Sequence, residues 1–72
     1  MINWTNILSN KVGQHAIKKF AMGEYNCEEV QKVFRAQPDR ATSGQVRSLI
    51  RNRGTANARQ VARKALRRRN LI

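Results

Sequence analysis

The chain has one cysteine, one histidine and four acidic residues, and each shortage closes off a kind of chemistry. With Cys27 alone, no internal disulfide forms and no cysteine-rich metal site exists, a usage that fits a reducing compartment. His15 has no second histidine to work with, and Glu28 and Glu29 are adjacent, so on a helix they point to different sides. No nucleophile with its base, metal cluster, phosphate loop or carboxylate pair stands at a working spacing. The expectation is a protein that is not an enzyme and uses no cofactor and no metal.

Long apolar runs are missing too. Nothing approaches the roughly 18–20 residues that cross a bilayer, and the first residues lack the basic, apolar, small-residue order of a signal peptide. The expected setting is soluble and intracellular: cytoplasmic, or a host cell if the source is viral. Aromatic residues are few, namely Trp4, Phe20, Tyr25 and Phe34, and none lies beyond Phe34. Phe20 and Phe34 sit at core spacing, which leaves Trp4 and Tyr25 as the only candidates for stacking on a base.

What the chain does have is positive charge, unevenly placed. Its 72 residues carry a formal net charge of +11. Residues 1–39 hold five bases (Lys11, Lys18, Lys19, Lys32, Arg35) against all four acids, a net of +1. Residues 40–72 hold ten bases and no acid, and nine of the ten are arginine. An ordinary solvated surface mixes signs, because like charges repel and oppose compactness. Arginine's planar fork also matches phosphate better than the compact ammonium of lysine does. The division suggests a near-neutral scaffold half, 1–39, and a basic working half, 40–72, within one small domain.

Apolar spacing predicts an all-α fold, a small bundle of about four short helices with a basic C-terminal half. The first runs from an N-cap at Thr5 to a stop at Gly23, with Leu8, Val12, Ala16 and Phe20 at four-residue steps and Ile7, Ile17 and Ala21 widening the arc. So wide an arc calls for more than one neighbour, or for a second copy of the chain. The second opens at Asn26 with Glu29 placed for a capping box, turns Val30, Val33 and Phe34 inward, and sets Glu28 four residues before Lys32. Pro38 makes Gln37 to Ala41 a tight connection. The third, capped by Thr42 or Ser43, buries Val46, Leu49 and Ile50 and closes at Gly54. Thr55 caps the fourth, whose inner arc is Ala58, Val61, Ala62, Ala65 and Leu66. Arg67, Arg68 and Arg69 repel one another, so the last residues should fray.

On the fourth helix, Arg59, Arg63 and Arg67 fall within about 80° of one another, opposite most of the apolar arc, in steps of about 6 Å. Such a ladder can follow successive phosphates of a strand. Arg47 and Arg51 form a similar pair on the third helix, and Arg53, Lys64, Arg68 and Arg69 complete the candidate nucleic-acid-binding set. A helix-turn-helix reading centred on Gly54 fails, because Gln60 and Arg63 would then occupy positions that should be apolar. A membrane-surface helix is disfavoured because the fourth helix's arc is mostly alanine, with no Trp or Phe to enter the interface. The expected partner is therefore RNA or DNA, held mainly by its phosphates. This charge partition suits ribosome-associated, genome-packaging or phage and virus accessory proteins. The alternative is a small interaction or inhibitor protein that docks on an acidic protein partner, and a homodimer surface on residues 1–39 stays open.

Overall fold

The structure is a computed structural model that describes residues 2–72. Among the described residues it is all helix without a strand: α1 (Trp4–Ile7), α2 (Lys11–Ala21), α3 (Cys27–Arg35), α4 (Arg40–Arg53) and α5 (Thr55–Arg68). The main packing runs round a ring, α2 on α3, α3 on α4, α4 on α5 and α5 back on α2, while α1 lies on α4. Phe20, Phe34, Ile17, Leu66, Val30 and Val46 fill the ring, each almost wholly removed from water. Each contributes about 1.5–3 kcal/mol of transfer free energy. No buried polar side chain among the described residues is left without a partner.

The expected first helix is two. Asn10, extended at φ −134° and ψ 166°, accepts a 2.8 Å hydrogen bond from the Gly13 amide and starts α2 there, while Asn3, not Thr5, caps α1. The Asn10 side chain competes with the backbone for the Gly13 amide, so the chain breaks there. The break resets the register. Gly13, Ala16, Ile17, Phe20 and Ala21 now face inward, and Val12, expected in the core, is 50% exposed. Gly13 is required there, since a Cβ on it would collide with the Ile7 carbonyl oxygen.

The Asn26–Glu29 capping box forms as expected, with both reciprocal bonds at 2.8–2.9 Å. Glu28 and Lys32 do not pair; the one ion pair among the described residues is Lys19–Glu24, at 3.1 Å. Helix α4 begins at Arg40, earlier than expected, because Asp39 caps it instead of Thr42 or Ser43. One Asp39 oxygen accepts from the Ala41 and Thr42 amides, and the other from the Thr42 hydroxyl and Asn6 Nδ2, both at 2.8 Å. That cluster ties α1 to α4. The bonds, led by the Thr42 hydroxyl, hold the Asp39 carboxyl below its ordinary range.

Gly54, at φ 79°, ends α4 and is also the residue before α5, so Thr55 is already helical and caps nothing. Its hydroxyl meets Cys27 Sγ at 3.0 Å instead. At the C-terminus, where fraying is expected, the backbone is hydrogen-bonded as far as Leu71. Asn70 takes a left-handed turn at φ 57°, its amide donates to the Arg67 carbonyl and that of Leu71 to the Leu66 carbonyl, and Leu71 packs on the core. This double bond pattern closes α5 as a Schellman motif, which anchors the three arginines despite their repulsion.

Candidate nucleic-acid interface

A helix leaves its last four carbonyls without partners inside the helix, and α2 meets this need partly with side chains from the other half of the chain. The amides of Met22, Gly23, Glu24 and Tyr25 satisfy the carbonyls of Lys18, Phe20 and Lys19. Arg59 then donates from Nε to the Phe20 carbonyl at 3.0 Å and from Nη2 to the Tyr25 carbonyl at 3.1 Å. Arg63 Nη1 donates to the Ala21 carbonyl at 2.8 Å. The Arg59 guanidinium also stands 5.2 Å from the centre of the Phe20 ring. Two cations thus sit at the negative end of the α2 dipole, where positive charge is favoured.

This corrects the three-rung ladder. Arg59 and Arg63 are half-buried and engaged by α2, and Arg67 alone of the three is exposed. On the helical projection only Arg67 lies opposite the centre of the α5 apolar arc; Arg59 falls about 20° from Leu66 and Arg63 about 60° from it, so both flank the arc on the side that the end of α2 covers. Nothing in the α5 sequence signals that neighbour, since it is a contact across more than 30 residues.

The other candidates stand at the surface. Arg47, Arg51 and Arg53 on α4, Lys64, Arg67 and Arg68 on α5, and Arg69 just beyond it are all exposed. Arg69 curls back to the Ala65 carbonyl at 3.2 Å. Of the ten bases in residues 40–72, eight are exposed, and none is in an ion pair.

Sequence reasoning missed Arg35 and Arg40. With Arg47 they line a cleft of about 430 Å³ between α3 and α4, completed by Gln31, Gln37, Ser43 and Gly44, with no acid in its wall. The signal was present in the spacing: Arg40, Arg47 and Arg51 are seven and four residues apart, which puts all three within about 40° on one helix. Asp39 is next to Arg40 in sequence, but its oxygens are turned to Asn6, Ala41 and Thr42.

On the other flank of α4 a wider groove, about 1020 Å³, is walled by Trp4, Ile2, Leu49 and Val61 with Asn52 and Arg53 at its polar side. Trp4 and Tyr25, the two stacking candidates, are half-buried and packed against the core, Tyr25 edge-on to His15 at 6.4 Å. Cys27 is half-buried and unpaired with any other cysteine. No group of three or more potential metal ligands occurs among the described residues, and no helix there is long and apolar enough to cross a membrane. Comparison of the chain with protein-family models, with curated proteins and with solved structures finds no match.

Proposed function

We propose that this chain binds RNA or DNA in a reducing, intracellular setting, chiefly through phosphates, using the exposed bases Arg47, Arg51, Arg53, Lys64, Arg67, Arg68 and Arg69. Arg59 and Arg63 serve the same interface indirectly, by fixing α5 against α2. The observation that supports this reading is the eight exposed bases of residues 40–72, which no acid opposes within that stretch. Held on rigid helices, such charge works against folding until a polyanion neutralises it. A polynucleotide does so and releases its own counterions in the process.

The test is a fluorescence-anisotropy titration of labelled single-stranded and duplex RNA and DNA at several salt concentrations. About five phosphate contacts on a duplex give a slope of log K against log salt near −4.5. A folded protein that ignores every oligonucleotide in dilute buffer overturns the reading. Saturation at one fixed stoichiometry with an acidic protein, alongside indifference to nucleic acid, would point to the docking alternative.

A further inference from the structure

Three of the chain's four glycines have a reason inside the chain. Gly23 and Gly54 take positive φ, 82° and 79°, and Gly13 abuts the Ile7 carbonyl. Gly44 has neither reason. It lies in the interior of α4 with ordinary helical backbone, and a Cβ on it would meet nothing within 4 Å. A glycine there weakens the helix relative to alanine, and no internal contact offsets that loss. The open space over Gly44 leaves room for a partner to come close to the helix backbone from outside.

The surroundings indicate what approaches. Val46, Leu49 and Ile50 turn the opposite side of α4 to the core, so Gly44 lies on its outward line, between Arg40 and Arg47. It is also the one residue lining both the arginine cleft and the groove beside Trp4. Arg35 lines the same cleft from α3, so two helices bring three arginines to its wall.

We propose that the α3–α4 cleft is the seat of a phosphodiester in the bound strand: the sugar-phosphate backbone lies against Gly44 and is gripped by Arg35, Arg40 and Arg47. Gln37 and Ser43 add uncharged donors at the rim. The inference rests on the nucleic-acid reading and adds Arg35 and Arg40 to it. A second copy of the chain is the less suitable occupant, because a two-fold contact centred on Gly44 would bring the same arginines of both copies together.

Two variants test it beside the parent protein, using the labelled oligonucleotides above. Gly44→Leu fills the seat without disturbing the fold, so its melting temperature should stay at or above the parent's while affinity falls about tenfold, the scale of a lost phosphate site. Arg35→Gln with Arg40→Gln should lower the magnitude of the salt slope by about 2. The control, Lys11→Gln with Lys18→Gln, removes the same charge from exposed positions on α2 and should leave both quantities near the parent values. If the parent binds and both cleft variants bind as it does, the seat is refuted and the broader reading stands. If the parent binds no oligonucleotide, both fall. If Gly44→Leu instead converts a dimeric parent to a monomer with unchanged affinity, the surface around Gly44 serves a second copy and the phosphate seat is wrong.

Discussion

Replacing Arg59 by Gln separates a structural arginine from a ligand-binding one. Its two hydrogen bonds to the Phe20 and Tyr25 carbonyls, 3.0 and 3.1 Å long, involve a charged donor. Bonds of that kind contribute about 1.5–3 kcal/mol each, and the low end applies to a side chain that still reaches water. Stacking on Phe20 adds about 0.5–1 kcal/mol. Freeing the side chain on substitution returns about 1–2 kcal/mol of entropy, so the net loss is about 2 kcal/mol. For a chain of 72 residues the whole folding free energy is about 4–11 kcal/mol, and the expected fall in Tm is roughly 8–16 °C. Thermal melts followed by circular dichroism read this directly. Arg59→Lys should recover only part of the loss, since one ammonium cannot stand over the Phe20 ring and hold both carbonyls at once. Oligonucleotide affinity, measured well below the variant's melting point, should stay within a few-fold of the parent. A variant that melts with the parent but loses affinity would mean that Arg59 faces the ligand and not α2.

The other substitutions address the scaffold. Gly13→Ala should destabilise by about 1–3 kcal/mol, the usual cost of forced overpacking, because the obstacle is the Ile7 backbone, which cannot swing aside; urea denaturation checks this, and an unchanged midpoint would show that α1 is free to shift. Leu66→Asp, or Val46→Asp, puts an unpaired carboxylate at a site 0% or 1% exposed and should abolish cooperative folding near neutral pH, so a sharp melt at pH 7 would remove that residue from the core. Asp39 has its carboxyl lowered by the Thr42 and Asn6 bonds, so its contribution is present above the ordinary carboxylate range and fades as pH falls through the lowered value. The Asp39→Asn variant should therefore lose stability at pH 7, and the gap between it and the parent should close in strong acid.

The inward faces of α3, α4 and α5 were legible because apolar spacing acts locally. Val30, Phe34, Val46, Leu49, Ile50, Ala58, Ala62 and Leu66 all take the expected core positions. What local spacing does not carry is which end of one element meets the side of another. The α1–α2 break depended on Asn10 offering its side chain to Gly13, a choice that competes closely with a continuous helix. The roles of Arg59 and Arg63 depended on where α2 ends in space. The α3–α4 cleft joins Arg35, from the near-neutral half, to Arg40 and Arg47, from the basic half, so dividing the chain by charge at residue 39 hid the grouping.

The same division hid a consequence for salt. The molecule is about 24 Å across, less than the Debye length of about 30 Å at 0.01 M and well beyond the 8 Å at 0.15 M. In dilute buffer every base therefore acts on every other across the whole fold, whereas at 0.15 M only neighbouring bases do. Attractive pairing offers little to lose on screening, because Lys19–Glu24 is the one ion pair among the described residues and it is open to solvent. Repulsion among eight exposed bases in residues 40–72 dominates. The free protein should then melt at a higher temperature as salt rises from about 0.01 to 0.15 M, over the range in which affinity for a polyanion falls. Opposite responses of stability and binding to one variable follow only if the exposed arginines repel one another in the free protein and meet phosphate in the complex. A melting temperature that falls with salt would show that favourable charge contacts, such as those of Arg59 and Arg63 with the end of α2, outweigh the repulsion, and the electrostatic case for a polyanionic partner would lose its basis.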